Sequence, residues 1–210
     1  MNRKNIIVSN IVLNEFTNDA RVLKTSQSLS HAGYTVSVIA IHKPGLKIKE
    51  HNHSFAIERI KLFTRPWPKY KPIQFLKYFE FIVRLLCSYR KSDICHCNDL
   101  HALPVGLLIK LLGQNVKVIY DCHEHETELN NLNGLEKKLK KVFESFLIRF
   151  ADEVITVSNS IAIDYQGLYD LPKPHLVLNC PVYCEQDKKI SFVKSYRFVM
   201  IKLFFFTKVD

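Results

Sequence analysis

The chemistry-bearing residues of this chain gather in VKVIYDCHEHE, Val116 to Glu126, where Asp121, His123, Glu124, His125 and Glu126 put five ionisable groups in six positions. Two imidazoles among three carboxylates can exchange protons, orient one another, or donate hydrogen bonds to hydroxyl or phosphate oxygens as charge develops. The same residues also suit a polar loop after a core strand. A second segment ends in the same way: DICHC, Asp93 to Cys97, runs into Asn98, Asp99, Leu100 and His101. In an open parallel α/β sheet, ligands bind beyond the carboxyl ends of the strands. Two polar strand ends joined by a helix-like Leu103 to Leu112 place Asn98, Asp99, His101, Asp121, His123 and Glu124 at one rim.

The elements that must position them follow from hydrophobic period. Strands are expected at Asn5 to Leu13, Tyr34 to Ile41, Phe55 to Phe63, Asp93 to Cys97, Val116 to Asp121, Glu153 to Val157 and His175 to Asn179. Helices are expected at about Ala20 to Ala32, Ile73 to Tyr89, Leu103 to Leu112, Leu135 to Phe150 and Ser158 to Tyr169. Asn18 or Asp19 caps the first helix and Gly33 ends it. Lys43 to Ser54 reads as a polar loop. Phe55 to Phe63 reads as an edge strand, because Glu58, Arg59 and Lys61 interrupt it. Phe75, Phe79, Ile82 and Leu86 form the apolar face of the second helix. This βα succession is that of a doubly wound, mostly parallel, Rossmann-like sheet.

The chain has 210 residues and is 47% hydrophobic, with 30 Lys and Arg against 20 Asp and Glu for a net charge of +10. That excess favours nucleotide phosphates or an anionic lipid surface. The cations form no dense run and no aromatic-stacking module is present, so nucleic acid is not an expected partner. Four of the six cysteines lie in or beside predicted elements and read as small hydrophobes in a reduced, cytoplasmic setting. No apolar run approaches the ~20 residues of a membrane span.

The six glycines are too scattered for a GxGxxG or Walker A loop, which weakens dinucleotide and P-loop readings. Cys95 and Cys97 alternate along a strand rather than forming a CxxC pair, so neither a metal nor another cofactor is expected. Ser158 sits in TVSNS, not GxSxG, and reads as a helix cap.

Four segments carry a family resemblance: NEFTNDARVLKTSQSLSHAGYTVSVIA (14–40), DICHCNDLHALPVGLL (93–108), VKVIYDCHEHE (116–126) and ADEVITVSNSIA (151–162), closing with VLNCP (177–181). In order and spacing the chain resembles the N-terminal, acceptor-side domain of retaining family 4 glycosyltransferases, one half of a GT-B fold. The resemblance implies sugar transfer from a nucleotide-sugar donor to a cell-surface polysaccharide or glycolipid precursor. It implies that His123 lies near the donor sugar and its phosphate, with Glu124 and Asp121 beside it as catalytic candidates. Asp19, Arg21, Asn98, Asp99, His101 and Ser158 become acceptor or substrate-binding candidates, with Asp19 holding Arg21 or simply capping its helix. Residues 1–181 are read as this domain and 182–210 as a linker and a truncated or degenerate tail, because nothing after Pro181 matches the family's donor domain. The alternatives are a non-catalytic product, a half-enzyme that needs a partner chain, or another GT-B enzyme such as a nucleotide-sugar epimerase.

Two helices join cations to broad apolar faces. Leu135 to Phe150 sets Lys137, Lys138, Lys140 and Lys141 against Leu139, Val142, Phe143, Phe146 and Phe150. Such a helix either buries its apolar face on the sheet or lies peripherally on the inner face of a membrane.

Overall fold

The computed structural model describes residues 6–52, 54–89, 91–122 and 134–180. In chain order the elements are β1 (Ile7–Ile11), α1 (Ala20–His31), β2 (Thr35–Ile41), β3 (Lys49–Asn52), β4 (Phe55–Ile60), α2 (Lys71–Ser88) and β5 (Ile94–Asn98). They continue with α3 (Leu103–Leu112), β6 (Lys117–Cys122), α4 (Gly134–Ile148), β7 (Glu153–Thr156), α5 (Asn159–Tyr169) and β8 (His175–Leu176). The strands form one sheet in the order β3-β4-β2-β1-β5-β6-β7-β8. Only β3 is antiparallel to its neighbour. This is the expected doubly wound α/β sheet.

The local signals are those the sequence offers. Asp19 accepts the Val22 N–H and Ser158 accepts the Ile161 N–H, each capping a helix N-terminus. Pro72 occupies the first turn of α2, where its missing N–H is no loss. Gly33, at φ 94, turns the chain from α1 into β2 through a conformation that side chains disfavour.

Two strand expectations need correction. Lys49–Asn52 is a strand rather than loop, and it forms the edge, so β4 lies inside the sheet between β2 and β3. None of the four β3 side chains is buried, so no alternating pattern marks it, and its charged surface is what an exposed edge requires. Arg59, expected to be an edge-strand interruption, is 5% exposed.

The sheet buries two apolar layers. Val8, Val12, Val36 and Val38 face α1 through Val22 and Leu29. Ile11, Cys95, Cys97, Val118 and Tyr120 face the other helices through Phe81, Leu85, Ile109, Ile148 and Tyr165. Burial pushes the Cys95 thiol up to about 12 and the Cys97 thiol well above its usual value, so both are apolar packing groups.

Two helices turn unexpected faces inward. In α2 the buried residues are Lys77, Phe81 and Leu85, while Phe75 and Phe79 are exposed. Lys77 is buried because its ammonium caps a chain turn, donating to the carbonyls of Arg65 at 3.3 Å and Trp67 at 2.6 Å. In α4 the buried residues include Glu144, Leu147 and Ile148. The Glu144 carboxylate accepts hydrogen bonds from the phenols of Tyr120, Tyr165 and Tyr169, each at 2.7 Å. Burial, with the nearby carboxylate adding to it, pushes the Tyr120 phenol up and keeps it a donor.

α3 sits on β5 at contact distance. A Cβ on Gly106 would overlap Cys97 Sγ and lie 3.5 Å from Cys95 Cβ and Val118 Cγ1. Gly106→Ala therefore overpacks this contact and is expected to cost about 1–3 kcal/mol in urea unfolding, despite alanine's better helix propensity. The cost should shrink in a Cys97→Ala background, where the obstructing sulfur is gone; an equal cost in both backgrounds would refute the steric account.

Candidate functional site

The order of the strands fixes where a ligand can sit. β1 pairs with β2 on one side and β5 on the other, so the winding reverses between β1 and β5. The crevice beyond their carboxyl ends is the topological switch point. Register places Asn98 opposite Asp121 at the ends of β5 and β6, so the two polar strand ends share one rim as expected.

Asn98 closes the switch point. Its Nδ2 donates to Asn10 Oδ1 and, at 3.1 Å, to the Ile11 carbonyl, while Asn10 Nδ2 donates to Ser26 Oγ on α1 at 2.9 Å. Among the described residues, Asn98 Oδ1 and His96 Nδ1 are buried without a hydrogen-bond partner. Such atoms are costly unless they serve a further contact. Asp99 follows with φ 75, a strained conformation for a side-chain-bearing residue. Its N–H donates to the Asp121 carbonyl at 3.2 Å, and its own carbonyl accepts the Ala102 N–H at 3.1 Å. His101 is exposed at the rim, and its carbonyl accepts from Tyr78 Oη at 2.8 Å.

Asp121 and Arg21 lie beneath this rim instead of lining it. Asp121 is 1% and Arg21 5% exposed. The guanidinium donates from Nη2 to Asp121 Oδ1 at 2.6 Å and from Nε to Oδ2 at 3.0 Å. Its Nη1 donates to the Val177 carbonyl at 2.9 Å. His96 Nε2 lies 3.3 Å from Asp121 Oδ2. Burial raises the Asp121 carboxyl, but the His96 hydrogen bond and the Arg21 charge outweigh it and hold it below the usual carboxylate range. Of the two readings of Asp19, the cap is the one seen: Oδ1 accepts the Val22 N–H and Oδ2 accepts from Asn14 Nδ2. Ser158 caps α5 and stands 3.0 Å from Ser160 Oγ. His123 and Glu124 lie outside the described residues; β6 ends at Cys122, the residue before them.

The loop between β1 and α1 borders the same crevice and is fastened by residues the sequence reading passed over. Phe16 stands at φ 50, its N–H donating to Asn14 Oδ1 at 2.8 Å. Arg59 Nε donates to the Glu15 carbonyl at 3.0 Å and Nη2 to the Phe16 carbonyl at 3.4 Å, while Arg65 pairs with the Glu15 carboxylate. A buried arginine on a strand signals such a fixed partner, but its target lies 44 residues away and is invisible in local pattern.

A mostly parallel, doubly wound sheet with a polar switch point defines a Rossmann-like domain. The model of Glycosyltransferase Family 4 matches residues 20–186, and the chain belongs to that family. No curated protein matches the chain. Among solved structures it is similar to a segment of sucrose-phosphate synthase from Thermosynechococcus elongatus, at 17% identity and TM-score 0.59, covering 84% of this chain and 90% of that one. A second structure of that synthase gives 15% identity and TM-score 0.64, covering 82% of this chain and 48% of that one. A Phytolacca americana UGT2 complexed with UDP-2fluoro-glucose and pterostilbene gives 9% identity and TM-score 0.56, covering 89% of this chain and 56% of that one. This chain thus spans about half the length of the latter two.

Asp121→Asn leaves the Arg21 guanidinium buried without its carboxylate and should cost about 3–5 kcal/mol. The sign of the pH dependence follows from the depressed carboxyl. The wild-type contribution is complete above the unfolded-state value near 4 and is lost as pH falls below it toward the folded-state value. Urea titrations should therefore show the wild-type advantage over Asp121→Asn shrinking on acidification; a constant gap would refute the ion-pair assignment.

Proposed function

We propose that this domain is the acceptor side of a glycosyltransferase that moves a sugar from a nucleotide-sugar donor to a cell-surface polysaccharide or glycolipid precursor. The carrying observation is the polar switch point, where Asn98, Asp99 and His101 share a rim with the end of β6 in a chain of this family. In this reading His123, one residue past β6, donates to the donor sugar or phosphate as charge develops, and Glu124 orients its imidazole. Asp121 acts through position: with Arg21 it fixes the strand from which His123 emerges. Asp99 and His101 take acceptor hydroxyls.

The donor side belongs to a second domain, in the same or a partner chain, because transfer requires the donor phosphate and the acceptor to be held together. Cys87, Cys95, Cys97 and Cys122 are free thiols, which supports a reducing, cytoplasmic setting.

With labelled nucleotide-sugars and a membrane lipid extract as acceptor, residues 1–210 alone should yield no product above a His123→Ala control. Adding a family 4 donor-binding domain should give His123-dependent transfer. Turnover by residues 1–210 alone would overturn the division of labour, and no product with the donor domain present would overturn the transferase reading.

A further inference from the structure

The helix α4 is amphipathic in the reverse sense for a helix on a sheet. Its apolar residues Leu135, Leu139, Val142, Phe143, Phe146 and Phe150 follow helical spacing at and just beyond its end, and all are exposed, Leu135 at 71% and Phe146 at 63%. What it turns inward is a carboxylate, Glu144, with Leu147 and Ile148. A helix ordinarily spends its apolar stripe on the core. Here the core contact is made by other groups, and the stripe faces outward along about 22 Å of helix.

The patch continues onto the neighbouring helix. Lys110 Nζ in the last turn of α3 donates to the Phe150 carbonyl at 3.0 Å, tying the ends of α3 and α4 together, and the next two residues of α3, Leu111 and Leu112, are exposed. Phe146 and Phe150 meet edge to face at 5.3 Å between ring centroids. Beyond α3, the helix α2 exposes Phe75, Phe79 and Val83 on the same side of the sheet. Exposed apolar side chains gathered on neighbouring helices of one face mark an interaction site.

Charge selects the occupant. Between Gly134 and Phe150 the chain carries Lys137, Lys138, Lys140, Lys141 and Arg149 against Glu136 and the buried Glu144. A second copy stacked on this face would bring like charges together, and the chain as a whole stands at +10. Phenylalanines flanked by lysines on a helix lying along a surface are the composition that an anionic bilayer takes up. The rings enter the acyl boundary while the ammonium groups stay with the lipid phosphates.

We propose that the outward face of α4, continued by Leu111 and Leu112, docks this domain on an anionic lipid surface. The proposal deepens the function above by giving a lipid-linked acceptor the surface from which it is reached. Adsorption is measured without any transfer, so the two readings fail separately.

The test is sedimentation of the 210-residue chain with vesicles of phosphatidylcholine alone or of phosphatidylcholine with phosphatidylglycerol. Binding is expected only with phosphatidylglycerol, and it should be lost in about 1 M salt, where the Debye length is about 3 Å. Replacing Lys137, Lys138, Lys140 and Lys141 by Glu should weaken it at least ~100-fold, and Phe143→Ser with Phe146→Ser about ten-fold. Lys138, Phe143 and Phe146 are exposed and Lys137, Lys140 and Lys141 half-buried, so the thermal midpoint of each variant is measured beside its binding, and an unchanged midpoint separates lost docking from lost folding. Equal binding of wild type and both variants would overturn the proposal. So would a dimer seen by light scattering that the Phe variant abolishes while no vesicle binding occurs.

Discussion

The buried contact between Arg21 and Asp121 joins three parts of the chain that are far apart in sequence. It ties the first turn of α1 to the last residues of β6, and through Nη1 to the Val177 carbonyl it adds the segment after β8. Lys24, one turn further along α1, takes the Cys180 carbonyl at 2.5 Å in the same manner. A pair this deeply buried gains little net stability over an apolar substitute, because desolvating both charges cancels most of the attraction. What it supplies is position: a bidentate guanidinium tolerates one orientation of the carboxylate, and hence one placement of α1 over the strand that carries it.

That placement divides the polar residues of the rim by depth. Asn10, Asn98, His96, Asp121 and Arg21 lie within the sheet and under α1, where they hold strands and helix to one another. Asp99 and His101 stand above them, and the backbone of Asp99 is anchored to the Asp121 carbonyl. The buried layer is therefore the support on which the outer groups are set out. The same arrangement recurs in the β1–α1 loop, which Arg59 fixes from below through the Glu15 and Phe16 carbonyls. Side chains locked by such contacts keep a binding site preorganised.

The sequence made the strands and the shared rim legible, because buried parallel strands carry apolar runs such as Val118 to Tyr120 that stop on polar residues. It could not reveal β3, whose four side chains all avoid burial and whose strand state rests on backbone pairing with β4. Nor could it assign Asp121 to the buried layer, since Asp121 is one of three carboxylates in one polar cluster and its partner lies 100 residues away. Asp19 was legible as a cap from its neighbours alone. The inward faces of α2 and α4 were illegible for a further reason: periodicity locates an apolar stripe but not the direction in which it points.

Glu144 explains how α4 can point its stripe away. One carboxylate deep in the helical layer would ordinarily be expelled or neutralised. Three phenols from β6 and α5 satisfy it, so the hydrogen-bonded side chain itself anchors the helix on the sheet. Leu147 and Ile148 complete the contact on the same side. The helix thus needs none of its phenylalanines to stay folded against the domain, and they remain available to a second surface.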